Sequence, residues 1–204
     1  KEIDNAKLFL RKALKFNNFF PPFIEFYCKL NLTKNQNQII KFLRKYWLKN
    51  PHPNIEQCVE NTFNKSSDLS KLKIISKILV KNNHLHFKYL ILGKYKYKAK
   101  IWGSSRNDLK KSISFKPTKD AYYFLYKIEE DLKINKNLIQ EFRSLYDKSK
   151  NTVYWRCNSC NLDYNNWYSY CSSCNTFNSI NSINTNEKYN ITKKTKLINK
   201  QHVL

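Results

Sequence analysis

Glycine and proline are scarce in this sequence. Its 204 residues contain only two glycines, Gly93 and Gly103, and five prolines. A β protein with many tight turns needs more of both residues, so that class is excluded and helices joined by short loops are favoured. The length allows one good-sized domain with a small appendage, and at most two domains. We therefore expect an all-α fold over most of the chain.

Long apolar runs and methionine are also lacking. No stretch approaches the roughly 18 apolar residues of a membrane helix, and no signal peptide is visible, so the chain as given is expected to be soluble. Methionine is absent even from position 1, and residues 4–16 read like the second half of a repeat. We expect the sequence to be a fragment whose natural N-terminus, with any membrane anchor, is missing.

The patterns of common active sites are missing as well. The sequence has no G-x-x-x-x-G-K-[ST] loop, no pocket-forming glycine-rich loop and no pair of acid and base that could be assembled into a site. We predict that the protein is not an enzyme.

Acidic residues are few. The chain has 38 Lys and Arg against 15 Asp and Glu, which gives a formal net charge of +23. Such a charge normally indicates nucleic acid or an anionic membrane surface. However, Lys and Asn are abundant in every part of the chain while Gly, Ala and Arg are scarce, as in proteins from AT-rich genomes. We favour this compositional cause over a basic surface that serves a function.

One region has a locally dense positive charge. Residues 88–116 contain a single acid, Asp108, and tyrosines alternate with their lysines. As a functional surface, this region would bind a phosphate-rich polymer or anionic lipid headgroups. A solvent-exposed helix pair in a lysine-rich chain is the favoured alternative. The candidate contacts with an anionic partner are Lys94, Lys96, Lys98, Lys100, Arg106, Lys110 and Lys111.

Similar segments recur at a fixed spacing. Basic residues are found every 33 residues, at Arg11, Arg44, Lys77, Lys110 and Arg143, and the first, second and fourth of them follow a leucine. Each copy contains a basic amphipathic helix, a short break with Asn or Pro, and a second apolar-periodic helix. A period near 34 residues that is made of two helices is the tetratricopeptide arrangement. We therefore predict a tetratricopeptide-like solenoid of helical hairpins over residues 1–150.

The helix boundaries follow from the apolar periodicity and from the prolines, which are tolerated in a first helical turn. The predicted helices are 5–16, 21–32, 35–49, 54–63, 68–81, 84–95, 99–114, 118–131 and 135–148.

Five isolated residues have simple interpretations. Cys28 and Cys58 lie singly on apolar helix faces and are predicted to be buried small hydrophobic residues, with a disulfide between them left open. His52, His84 and His86 fall in or beside turns without ligand partners at a suitable spacing, so they are predicted to be structural or surface residues.

The strongest chemical signal is a set of four cysteines near the end of the chain. Cys157 and Cys160 are separated by two residues, as are Cys171 and Cys174, and ten residues separate the two pairs. Two intervening residues allow a tight turn to present both sulfur atoms to one ion, and two such turns complete a tetrahedron of thiolates. The spacing predicts a metal site formed by these four residues.

Zinc is the expected ion, because it is the usual occupant of a closed site of four cysteines, although iron fits the same thiolates. A redox dithiol is disfavoured because the motif is paired and no βαβ context surrounds it. The site therefore predicts a small Cys₄ β module of the zinc-ribbon or rubredoxin-like kind over residues 151–181. We expect this module to cover the last helix pair or to present its own surface to a partner. We expect residues 182–204 to be a disordered basic tail.

The two halves together resemble the alphaproteobacterial HemY-type tetratricopeptide proteins. Their C-terminal blocks match Trp155, Trp167 and the four cysteines in order, followed by the run Phe177, Asn178, Ser179 and Ile180. The segment KNPHPN and the segment KAKIWGSSRNDLKKSI are also similar to repeats of that family. The family's knuckle glycines are replaced here by Asn161 and Asn175, and Asn tolerates the left-handed turn that these positions need.

The resemblance implies a non-enzymatic scaffold at the cytoplasmic side of a bacterial inner membrane, linked to haem biosynthesis. The concave face of its solenoid would hold a protein partner, expected to be a membrane-associated biosynthetic enzyme, and a missing N-terminal segment would anchor it. A related layout occurs in the lipopolysaccharide assembly protein B type, which acts as an adaptor in the control of a lipid A enzyme. A nucleic-acid-binding zinc ribbon is a further alternative, and direct binding of haem or porphyrin stays open.

Overall fold

The computed structural model describes residues 2–17, 19–30, 35–80, 85–133 and 135–183. Over these residues the chain is mostly helical and ends in a small antiparallel sheet. Its elements are α1 (Glu2–Phe16), α2 (Pro21–Leu30), α3 (Gln36–Lys49), α4 (Ile55–Thr62), α5 (Asp68–Ile78), α6 (Leu85–Lys98), α7 (Trp102–Phe115), α8 (Lys119–Leu132), α9 (Lys136–Lys148), β1 (Trp155–Cys157), β2 (Asp163–Tyr164) and β3 (Ile180–Ser182).

Side-chain caps fix the starts of several helices. Asn35, Ser67, Thr118 and Asn135 each accept a hydrogen bond from a backbone N–H in the first turn of the following helix. These caps satisfy N–H groups that have no partner inside the helix. All nine predicted helices are present among the described residues, most with ends within three residues of the prediction.

Both helix ends at the turn between α6 and α7 differ from the prediction by three residues. The prediction ended the first of these helices at residue 95, but α6 continues to Lys98, nearly one turn beyond the completely buried Tyr95. The chain then reverses at Lys100, which has a φ of 60°. There the N–H of Ile101 donates to the carbonyl oxygen of Lys96 at 2.8 Å, which closes the end of the helix.

The helices pack as neighbours along the chain and as next-but-one neighbours. The most extensive contacts join α6 to α7 and α8 to α9, while α2 packs on α4, α3 on α5 and α6 on α8. One apolar cluster is contributed by α2 to α6 and includes the fully buried Trp47. A second cluster is contributed by α6 to α9 and includes Leu109 and Leu125. Within the described residues, no helix has both the length and the apolarity to cross a membrane.

The sheet belongs to a small module that contains the four cysteines, and we call residues 151–183 the cysteine module. Its strands are ordered β2, β1, β3, with both pairings antiparallel. Ser182 pairs with Trp155, and the N–H of Ile183 donates to the carbonyl oxygen of Tyr154 at 2.9 Å. Ser182, the first residue of the predicted tail, is therefore the last residue of β3. The remainder of that predicted tail, residues 184–204, lies outside the described residues.

The cysteine module lies against helices from the first part of the chain. The ring of Phe20, which precedes α2, is 6.0 Å from the ring of Trp155 and 5.4 Å from that of Trp167. The ring of His52, which precedes α4, is 5.3 Å from that of Trp155. A position of the module over the last helix pair was one of the predictions. Instead, its aromatic residues contact Phe20 and His52, which precede α2 and α4.

Candidate metal centre

The four cysteine sulfur atoms form one compact group. All of them lie within 4.8 Å of one another, and the contacts between the two knuckles are 3.6 Å for Cys157 with Cys174 and 3.5 Å for Cys160 with Cys171. Tetrahedral coordination with metal–sulfur bonds of about 2.3 Å places sulfur atoms about 3.8 Å apart. The predicted ligands are therefore brought together in an arrangement that can hold a metal ion.

Two equivalent turns present the cysteine pairs. The N–H of Asn161 donates to the carbonyl oxygen of Cys157 at 2.9 Å, and the N–H of Asn175 donates to that of Cys171 at the same distance. Both asparagines have left-handed backbones, with φ of 60° and 53°. This conformation bends the chain back beneath the sulfur atoms, and Asn is among the side chains that adopt it most readily. The left-handed turn predicted at Asn161 and Asn175 is thus confirmed.

Hydroxyl groups surround the sulfur atoms. The sulfur of Cys157 is hydrogen-bonded to the hydroxyl of Ser179 at 3.2 Å, and the hydroxyl of Tyr164 lies 3.0 Å from the Cys171 sulfur. The hydrogen bond with Ser179 is the main cause that lowers the pKa of the Cys157 thiol to about 6. A thiol with a lowered pKa is more readily converted to the thiolate that binds metal. No pattern in the sequence points to Tyr164, and Ser179 belongs only to the run of residues 177–180.

The two halves of the site differ in exposure. Cys157 and Cys171 are buried, whereas Cys160 and Cys174 are exposed. Trp155 and Ile180 are buried beside the two inner sulfur atoms and form the small core of the module. Four protein thiolates leave no open position for a water molecule at a tetrahedral ion, so the arrangement suits a structural metal.

The other two cysteines lie in the helical core. Cys28 and Cys58 are completely buried free thiols, as predicted, and they are not joined in a disulfide. A hydrogen bond with Cys28, together with burial, raises the pKa of the Cys58 thiol, so Cys58 is expected to remain protonated and unreactive. His52 is buried and His86 is partly buried, while His84 lies outside the described residues.

The structure places the seven candidate anion contacts in different environments. Four of them form ion pairs with acids: Lys94 with Glu56 and Asp120, Lys96 with Asp108, Lys98 with Glu60, and Arg106 with Glu129. Among the described residues, Lys100, Lys110 and Lys111 form no ion pair.

These ion pairs change the expected character of the region. Most of the acids come from α4 and α8, so the count of charges within residues 88–116 alone could not reveal them. A cation that is already paired is less available to a phosphate group, because the acid must be displaced or left without its partner. The seven residues therefore do not form one continuous cationic surface.

Comparison of the chain with protein-family models finds no match, and comparison with the curated proteins finds none either. The resemblance to the HemY-type proteins therefore depends on the cysteine pairs, the two tryptophans and the repeat segments of this sequence.

Proposed function

We propose that this protein is a non-enzymatic adaptor, in which a tetratricopeptide-like solenoid is joined to a module held together by a structural zinc ion. The observation that carries the proposal is the closed group of four sulfur atoms within 4.8 Å of one another. A closed tetrahedral site stabilises a fold and offers no position at which water or a substrate could be activated.

Zinc is proposed because it is the most common ion in structural sites with four cysteines. The module has too few buried apolar residues to fold on its own, since its core contains only Trp155 and Ile180 besides two of the cysteines. Metal binding then supplies much of its folding free energy. Bound iron would be recognised by thiolate-to-metal absorption in the visible range, which zinc does not show.

The repeat spacing supports the solenoid. Basic residues recur every 33 residues, and α2 packs on α4 and α3 on α5, as expected when successive helical hairpins stack. Such arrays expose an extended face that holds a partner protein. By resemblance we propose that this partner is a membrane-associated biosynthetic enzyme of the haem pathway, and that the protein acts at the cytoplasmic side of a bacterial inner membrane.

The test is affinity capture of the natural-length protein from membranes, with identification of the proteins that are bound to it. The wild type is compared with Cys157→Ser, which removes one metal ligand, and with Cys58→Ala, which removes a thiol outside the site. The proposal expects one enriched membrane enzyme that is retained by Cys58→Ala. Absence of any enriched protein from wild-type captures would contradict the adaptor function.

Nucleic-acid binding is the second candidate, and the net charge of +23 is the observation that favours it. The cysteine module itself would contribute little, because its only charged residues are Arg156 and Asp163, which pair with each other at 2.6 Å. Binding of single-stranded RNA that falls steeply with salt and is lost in Lys110→Gln/Lys111→Gln would support this candidate.

A further inference from the structure

Positive charge is concentrated on every second helix. The odd-numbered helices contain 17 Lys and Arg against six Asp and Glu, whereas the even-numbered helices contain seven of each. A bias in composition would add lysine to both sets of helices alike. The separation of charge therefore has a cause other than composition, and it points to the surface of the odd-numbered helices.

Ion pairing divides the helices in the same way. Within the described residues, five of the seven cations on the even-numbered helices form ion pairs with acids. On the odd-numbered helices, only two of the 17 do so in this part of the chain, Lys71 and Arg106. The other cations of the odd-numbered helices are thus available to an anion outside the chain, because no acid has to be displaced from them.

The exposed faces of α3 and α5 carry such cations beside a large apolar side chain. Residues three or four positions apart share one face of a helix. We call the exposed residues at this spacing the outer stripes, which are Lys41, Lys45 and Leu48 on α3 and Leu69, Lys73 and Lys77 on α5. Each outer stripe lies opposite to a buried residue of its helix, Leu43 or Ile75, and α3 packs on α5.

The apolar side chains of the outer stripes are exposed to solvent. Leu48 is 48 % exposed and Leu69 is 50 % exposed. A third outer stripe lies on α1, where Leu8, Lys12 and Phe16 are exposed at four-residue spacing and Phe16 is 93 % exposed. A single exposed apolar residue needs no explanation. Its repetition beside unpaired lysines on three helices is characteristic of helices that lie on a lipid surface, where apolar and cationic side chains bind together.

We propose that the outer stripes bind the surface of a lipid bilayer that contains anionic headgroups. The lysines are complementary in charge to the phosphate groups of such a surface. Leu48, Leu69 and Phe16 enter the boundary between the headgroups and the acyl chains, while the methylene groups of the lysines cover the apolar surface between them. The inference goes beyond the proposed adaptor function, because an adaptor that is held by an anchor needs no lipid contact of its own.

Other partners match the outer stripes less well. A single-stranded nucleic acid binds by stacking its bases on aromatic side chains as well as through its phosphate groups, and Leu48 and Leu69 offer no aromatic ring. A second copy of the chain would bring its own lysines against these lysines, and like charges repel. An anionic bilayer matches both the charge and the apolar side chains.

The test measures how the full chain, loaded with zinc, sediments with sucrose-filled vesicles. The vesicles contain phosphatidylcholine alone or together with about 30 % phosphatidylglycerol. The proposal expects binding to the anionic vesicles to be at least about tenfold tighter than binding to the neutral ones, and to weaken between about 0.1 and 0.5 M salt. Lys45→Gln/Lys73→Gln/Lys77→Gln should weaken binding to the anionic vesicles by at least about tenfold, because each lysine near the surface contributes about fivefold.

A matched control separates the outer stripes from the total charge. Lys100→Gln/Lys133→Gln/Lys150→Gln removes the same charge from exposed positions outside the helices. It should weaken binding to the anionic vesicles by about twofold or less, because only the overall field is reduced. Circular dichroism and thermal unfolding verify that both triple variants remain folded.

A second pair of variants tests the apolar side chains. Leu48→Gln/Leu69→Gln leaves the net charge unchanged but should weaken binding to the anionic vesicles by about tenfold, because the side chains that enter the bilayer become polar. Leu162→Gln alters a leucine of the cysteine module that is 41 % exposed, and it should bind as the wild type does.

Several outcomes would overturn the proposal. Equal binding to neutral and anionic vesicles, or equal binding by the two triple lysine variants, would show that the outer stripes do not bind the lipid surface. Unchanged vesicle binding by Leu48→Gln/Leu69→Gln, together with single-stranded RNA binding that is lost in Lys45→Gln/Lys73→Gln/Lys77→Gln, would assign the outer stripes to a nucleic acid. A dimer that forms without vesicles and is lost in Leu48→Gln/Leu69→Gln would assign them to a second copy of the chain.

The vesicle test does not depend on the proposed adaptor function, because it contains no partner protein. Vesicle binding without any captured membrane enzyme would contradict only the adaptor. A captured enzyme without vesicle binding would contradict only the outer stripes as a lipid-binding surface.

Discussion

Gly93 of α6 and Leu109 of α7 approach so closely that a Cβ atom placed at position 93 would lie 2.6 Å from Cγ of Leu109. Near the same point, the hydroxyl of Ser105 donates to the carbonyl oxygen of Gly93 at 2.7 Å. The two helices can pack at this distance only because residue 93 has no side chain. One of the only two glycines in the chain therefore has a packing role in a helix, where glycine is otherwise unfavourable.

Gly93→Ala is expected to destabilise the fold although alanine favours helix formation. The steric conflict with Leu109 costs roughly 1 to 3 kcal/mol, which exceeds the gain in helix propensity of about 1 kcal/mol. Gly103→Ala is the matched control, because a Cβ there meets no atom within 4 Å, and it should be neutral or slightly stabilising. Urea unfolding measures both, and equal effects of the two changes would contradict the close approach of α6 and α7.

Arg106→Gln is expected to destabilise the protein by about 3 kcal/mol, because it leaves the carboxylate of Glu129 without its cation at a buried position. The side chain of Glu129 is only 2 % exposed and its oxygen lies 2.6 Å from Nε of Arg106. Lys127→Gln removes the exposed pair with Glu130 and should cost less than about 1 kcal/mol. If denaturant midpoints shifted equally, Arg106 would be a surface cation, as the sequence suggested.

His52 makes the fold sensitive to mild acid. Because burial lowers its pKa from 6.5 to about 4 in the folded state, the unfolded chain binds more protons between these values. The free energy of unfolding should therefore fall as the pH falls below about 6.5, by about 1 kcal/mol from pH 7.5 to 5.5. His52→Gln should reduce this slope when unfolding is measured at each pH in excess zinc. An identical slope in wild type and variant would show that His52 is accessible to protons in the folded protein.

Cys157→Ser is expected to lose the metal while the helical circular dichroism signal of the chain is largely retained. One ligand of four is removed, and a serine hydroxyl is a poor replacement for a thiolate. Metal content measured by elemental analysis should fall from about one ion per chain to a small fraction. Cys58→Ala, which alters a buried thiol of the helical core, should keep its ion. Stoichiometric metal in Cys157→Ser would refute the assignment of the four ligands.

The helices and the cysteine cluster could be predicted because local patterns determine them. The apolar stripe of α3, for example, reappears as the buried residues Ile39, Leu43 and Trp47. The two-residue spacing within each cysteine pair likewise specifies the turn that presents both sulfur atoms. In both cases the residues that decide the structure are near one another in the sequence.

Contacts between distant parts of the chain could not be predicted in the same way. Periodicity shows which face of α4 is apolar, but it does not reveal that its Glu56 pairs with Lys94 of α6. The same limit applies to the position of the cysteine module, which depends on Phe20 from the first part of the chain. The acids that pair with Lys94, Lys98 and Arg106 are brought close by such distant contacts, and for this reason the sequence suggested a cationic surface instead.

Phe20→Ala is expected to separate the cysteine module from the helices without emptying the metal site. The ring of Phe20 contacts those of Trp155 and Trp167 and is not one of the four metal ligands, so its removal should shift tryptophan emission to longer wavelength and cost roughly 1 to 3 kcal/mol. Phe16→Ala is the control, because that side chain is 93 % exposed and should have little effect on either property. Unchanged emission in Phe20→Ala would contradict the position of the module against α2, whereas loss of metal would show that this contact also supports the cysteine turns.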